Sequence, residues 1–146
     1  MGSLCGNLAV LLLFLSPLMH SHLFARASTS SPPTTLKYEE LKALIESNKD
    51  LVLIDVRSQG EVAGGRIPGA IHIPIHALDA ALRMNPDDFK ANYGLVKPPL
   101  NVPQLVFYCQ AGGRSRMAAT TAIRNGYINV RDYAGAYSEW SRKERK

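Results

Sequence analysis

Cysteine is nearly missing from this chain: Cys5 and Cys109 are the only two in 146 residues. Cys5 lies in an N-terminal stretch unlike the rest, so removal of that stretch leaves one thiol and excludes a disulfide framework within the mature domain. A lone Cys is then either a small buried hydrophobe or a nucleophile. Acidic residues are absent before Glu39, and Arg26 is the one Lys or Arg before Lys37. Aromatics are sparse, with a single Trp, and no aromatic-plus-basic stripe accompanies the excess of 17 Lys and Arg over 12 Asp and Glu. The net charge of +5, part of it in the terminal run Arg142, Lys143, Arg145 and Lys146, therefore predicts a solvated helix end and a modest pull on anionic substrates, with no nucleic acid as partner. Long apolar runs are lacking too. Leu8 to Leu15 is followed soon by Ser16 and Pro17, short of the roughly 20 residues a spanning helix needs, so no stable membrane span is expected. His72 and His76 stand four apart, but Pro74 falls between them and breaks the helical spacing that would set both on one face. With no nucleotide-binding glycine pattern either, neither a metal nor a cofactor is expected.

What the chain does have is enough apolar content, 46%, to build one domain. Residues 1–27 read as a targeting segment, residues 28–35 as a linker holding Pro32 and Pro33, and residues 36–146 as the folded domain. Ala25-Arg26-Ala27 has the form of a signal-peptidase site, while the acid-free stretch followed by Ser28 to Ser31 has that of a mitochondrial presequence. A sole catalytic thiol suits a reducing compartment, so the mitochondrion is the expected destination and the secretory pathway the alternative.

Helix and strand signals alternate through the domain. Leu41, Leu44 and Ile45 share a helical face between Tyr38 and Ser47, and Leu51 to Val56 is a run fit for a strand buried on both sides. Gly64, Gly65, Pro68 and Gly69 force a loop before the short run Ala70 to Ile73. Helices are expected at His76 to Arg83 and Pro86 to Tyr93, a proline-rich loop at Lys97 to Pro103, and a buried strand at Gln104 to Tyr108. A helix from Ser115 to Asn125, a strand from Asn129 to Tyr133 and a charged helix from Gly135 complete an α/β sandwich around a mainly parallel sheet.

In such a sheet ligands sit beyond the carboxyl ends of the strands, and Cys109 stands at that point. It follows Leu105-Val106-Phe107-Tyr108 and opens the loop Gln110-Ala111-Gly112-Gly113-Arg114-Ser115. The two glycines let the backbone curl into an anion-binding nest above a helix N-terminus, which lowers the pKa of a thiol placed there. Arg114 is expected to add a fixed positive charge and a planar fork of donors at the mouth. Asp55 and Arg57 are read as scaffold, Arg57 pairing with Glu61 if the turn between them is helical. Tyr137 and Trp140 are read as packing, and Tyr133 as a pocket wall.

These pieces together resemble the rhodanese family, from about Leu36 to Trp140: the Cys109-to-Ser115 loop, Asp55-Val56-Arg57, Gly65 to Ile71, and Tyr133-Ala134-Gly135 with Trp140. One departure is Arg66, where that family usually has His. The resemblance implies a three-layer sandwich with helices on both faces of a five-stranded sheet. It implies a single-domain thiosulfate sulfurtransferase: the Cys109 thiolate takes sulfur from thiosulfate as a persulfide, held by residues 110 to 115, and passes it to cyanide, glutathione or a protein thiol such as thioredoxin. Two other readings stand beside it. A cysteine phosphatase would need five residues between Cys and Arg to enclose a phosphate, against the four here. A binding or sulfur-relay module would act through a protein partner.

Overall fold

The computed structural model describes residues 31–47 and 50–146. The targeting segment expected at 1–27 and residues 28–30 of the linker lie outside them. The order is β1 (Thr34–Leu36), α1 (Tyr38–Ser47), β2 (Leu51–Asp55), α2 (Gln59–Ala63), β3 (Ile71–His72), α3 (Ile75–Arg83), α4 (Pro86–Tyr93), β4 (Gln104–Tyr108), α5 (Gly113–Arg124), β5 (Val130–Tyr133) and α6 (Ala136–Glu144). All five strands are parallel, in the order β1-β5-β4-β2-β3.

Side chains of a strand alternate between faces, and β4 shows what that does in a sheet covered on both sides. Leu105 and Phe107 join one core with Leu78 and Leu82 of α3, Phe89 of α4 and Ala118, Ala119 and Ala122 of α5. Val106 and Tyr108 join the other, with Leu41 of α1 and Trp140 of α6. Each large apolar side chain so buried contributes roughly 1.5–3 kcal/mol, which is why a five-residue strand with no polar face holds the centre of the molecule. The result is the three-layer α/β sandwich that alternating signals predict.

Three boundaries differ from expectation. The domain starts before Leu36: Thr34 and Thr35, assigned to the linker, pair with Arg131 and Asp132 as an edge strand. The β-branched threonines following Pro33 extend readily, and the pairing partner lies some 100 residues away, beyond the reach of local pattern. A short helix, α2, stands just before the Gly64 to Gly69 loop, in a stretch to which no element was assigned. Ser58 caps it, its hydroxyl accepting from the Glu61 N–H while the Glu61 carboxylate accepts from the Ser58 N–H. Finally, α5 begins two residues early, at Gly113, with no side-chain cap on its first N–H groups. Among the described residues no helix is long and apolar enough to cross a membrane.

Candidate active site

Strand order reverses between β2 and β4, and Cys109 is the first residue beyond the carboxyl end of β4. Its side chain is buried in the sandwich, 1% exposed. The backbone then turns back on itself at Gly112, where φ is +114°. That turn aims the Gly112 N–H at the sulfur, donating at 3.0 Å. The Ser115 hydroxyl lies 3.5 Å from Sγ and itself donates to the Gly112 carbonyl at 3.0 Å. Burial pushes the Cys109 thiol up, but the Ser115 hydroxyl and the N–H groups of Ser115, Gly112 and Ala111 outweigh it and hold the thiol below its ordinary value. No acidic residue sits in the first turn of α5, so the positive helix end is left for the sulfur.

The two glycines of the loop are not equivalent. A Cβ on Gly112 would meet the Ala134 carbonyl oxygen at 3.0 Å on a left-handed backbone, whereas one on Gly113 would meet nothing within 4 Å. Only Gly112 makes the curl that both were expected to provide.

Arg114 is also placed differently from expectation. Its two terminal nitrogens each donate at 2.8 Å to the Glu61 carboxylate, so the charge at the mouth is already paired rather than free. Glu61 is held well below the usual carboxylate range, at about 2, chiefly by Arg114 and by the Ser58 N–H. Arg57, expected opposite Glu61, instead grips the Asp55 carboxylate through Nε and NH2 and reaches only the carbonyl oxygen of Glu61. It also donates to Gly65 O at 2.7 Å and to Gln110 Oε1 at 3.1 Å, and its guanidinium lies 4.1 Å from the Tyr137 ring centre. Tyr108 completes the network by donating to Asp55 at 2.7 Å and accepting from the Ile67 N–H. Asp55 and Arg57 thus tie the ends of β2 and β4 and the Gly65 loop into one buried unit.

From the other side, α6 clamps the loop: Tyr137 N–H donates to Cys109 O at 2.9 Å and Ser138 N–H to Gln110 O at 3.2 Å. Of the loop residues, Ala111 and Gly113 are exposed, Gln110, Gly112 and Arg114 partly so, and Ser115 is buried. Tyr133 is not a pocket wall. It is fully buried in the α1–α6 core, its hydroxyl donating to Glu139. His72 is hydrogen-bonded through Nε2 to Arg57 O at 2.7 Å, and His76 is exposed.

Two residues near the site have places that the sequence reading missed: Glu61, expected only as a partner of Arg57, and Asp132, not singled out at all. Glu61 carried a usable signal, the Ser58-x-x-Glu61 capping box, although its pairing with Arg114 spans 53 positions. Asp132 carried none: it is 4% exposed on β5, burial pushes its carboxyl up while Ser115 pulls it down, and Oδ1 has no partner.

A family model described as a rhodanese-like domain matches residues 37–143. The thiosulfate:glutathione sulfurtransferase of Homo sapiens is 46% identical over 110 residues, covering 75% of this chain and 95% of that protein. The mitochondrial thiosulfate sulfurtransferase RDL2 of Saccharomyces cerevisiae is 31% identical over 122 residues, covering 83% of this chain and 81% of that one. The solved structure of the human single-domain sulfurtransferase TSTD1 superposes with a TM-score of 0.72 at 45% identity, covering 77% of this chain and 97% of the other.

Proposed function

From the premise that the chain belongs to the rhodanese family, we propose that it is a single-domain sulfurtransferase carrying sulfane sulfur from thiosulfate to glutathione through a persulfide on Cys109. The observation that carries this reading is the Gly112 N–H donating to Sγ at 3.0 Å within a cradle that lowers the thiol pKa. A thiol already ionised needs no general base. Its sulfur attacks the outer sulfur of thiosulfate; the sulfur–sulfur bond of the donor breaks, and its electron pair departs with sulfite. The new persulfide anion is held by the N–H groups of the loop. Attack by a glutathione thiolate on the outer sulfur then releases glutathione persulfide and returns the Cys109 thiolate. Gln110, Ala111, Gly112, Gly113 and Ser115 form the cradle in this scheme. Arg114 meets the donor's sulfonate end only by sharing or exchanging its contact with Glu61.

Cyanide and a protein thiol such as thioredoxin serve as further acceptors, since nothing in the second step depends on more than a soft nucleophile reaching the outer sulfur. The acid-free N-terminal segment and the mitochondrial relative in yeast support a mitochondrial address. Sulfite release from thiosulfate, followed with the full chain and glutathione as acceptor, tests the reading. Turnover that depends on both substrates and disappears in Cys109→Ser is expected; equal sulfite release by that variant would overturn it.

A further inference from the structure

We propose that the groove between the Gly64–Pro68 loop and α6 is the acceptor subsite, receiving a peptide-sized thiol whose carboxylates are held by Arg66 and Arg145. This rests on the sulfur-transfer reading above and adds to it the place and chemistry of the second substrate. The groove has a volume of about 640 Å³, within the range of roughly 300–1,000 Å³ typical of small-molecule sites. Thiosulfate, a compact dianion that the backbone nest already serves, has no use for such a space. A tripeptide thiol with charges far from its sulfur does.

The groove is joined to the Cys109 loop through main chain. Gln110, next in the chain to Cys109, lines it, and so does Tyr137, whose N–H donates to Cys109 O. Both are held in place by Arg57, through the hydrogen bond to Gln110 Oε1 and the stacking on the Tyr137 ring. The inner wall is therefore fixed to the same buried unit as the catalytic loop. At its outer end stands Arg145, exposed and bonded only to Ser141 of its own helix. From Tyr137 to Arg145 the chain advances eight residues, about 12 Å along a helix. An extended tripeptide spans roughly 10 Å, and Arg145, whose guanidinium turns back onto Ser141 four residues nearer, comes within its reach.

Charge makes the groove selective. Arg66 is exposed and, among the described residues, makes no hydrogen bond or ion pair. Glu144 also lines the groove, but its carboxylate is engaged by Lys42 at 2.8 Å and by the Tyr38 hydroxyl. The uncommitted charges facing an incoming ligand are therefore the two guanidiniums, each suited to a carboxylate.

The test compares acceptors in the full chain and in the double variant Arg66→Gln with Arg145→Gln. Loss of two exposed charge contacts is expected to raise KM for glutathione about fivefold. KM for thiosulfate and for 2-mercaptoethanol, a thiol without carboxylates, is expected to stay within about twofold. An unchanged glutathione KM, or an equal rise for both thiols, would overturn the proposal. If the unaltered chain turns over neither thiol nor cyanide, it is the sulfur-transfer reading that has failed.

Discussion

Substituting alanine separately at Gly112 and Gly113 asks whether one glycine alone shapes the cradle. Gly112 has φ +114°, and an added Cβ meets the backbone oxygen of Ala134 at 3.0 Å. The left-handed conformation costs a residue with a side chain roughly 1–3 kcal/mol. The contact adds to it because the neighbour is main chain, fixed between β5 and α6, and not the end of a flexible side chain. A loss of about 2–4 kcal/mol is expected for Gly112→Ala, a large fraction of the roughly 5–15 kcal/mol available to a domain. Gly113 is the first residue of α5, with a negative φ and open space where its Cβ would stand. There alanine removes backbone freedom from the unfolded chain, and the change is neutral or stabilising by up to about 1 kcal/mol. Urea unfolding followed by the single tryptophan reads both, since Trp140 is 6% exposed and packs 5.3 Å from Tyr38. Equal costs at the two positions, or a loss below about 0.5 kcal/mol at Gly112, would refute the reasoning.

Ser115→Ala removes the hydroxyl 3.5 Å from Sγ, one of the groups that hold the Cys109 thiol below its ordinary value. Against a thiolate that hydroxyl turns from the Gly112 carbonyl to donate to the sulfur, so without it the thiol should titrate higher. Thiolate absorbance against pH in a Cys5→Ser background measures it, and an unmoved curve would contradict the assignment. Asp132 has its folded pKa raised above the ordinary 3.8, with burial the largest cause. A carboxyl of this kind binds its proton more tightly when folded, so its penalty is absent at low pH and appears as pH rises through and above 3.8. Asp132→Asn is therefore expected to be about 1 kcal/mol more stable than the unaltered chain at neutral pH, with the gap closing toward pH 4. A destabilised variant with a pH-independent gap speaks against it. Arg57→Leu strands the fully buried Asp55 carboxylate, and a loss of about 3–5 kcal/mol in urea unfolding is expected. A loss under about 1 kcal/mol would show that Tyr108 alone satisfies Asp55.

The central strands were legible in the sequence because they are buried on both faces and so carry uninterrupted apolar runs, as Leu105 to Tyr108 do. The place of Cys109 was legible for the same reason: a thiol directly after such a run, before glycines and a helix, sits where a parallel sheet binds ligands. What escaped was short or distant. β1 has three residues and finds its partner almost 100 positions later, and α2 has five residues with one buried, too few for any periodicity. The pairing of Arg57 was misassigned because helical i,i+4 spacing pointed to Glu61, whereas α2 starts only at Gln59 and the strand end turns the guanidinium back onto Asp55. Tyr133, read as a pocket wall, was misplaced for a similar reason, while Tyr137 does pack against the core as expected. β5 points Tyr133 into the core, and α6 sets the Tyr137 ring under the Arg57 guanidinium, where it lines the same groove as Gln110.

Intact-mass spectrometry of the full chain after incubation with thiosulfate tests the central claim most directly, beside Cys109→Ser and followed by addition of glutathione. The account predicts a gain of one sulfur atom on the unaltered chain, none on the variant, and return to the starting mass when glutathione is added. A chain that acquires no sulfur from thiosulfate, or a Cys109→Ser variant that acquires it equally, would contradict it.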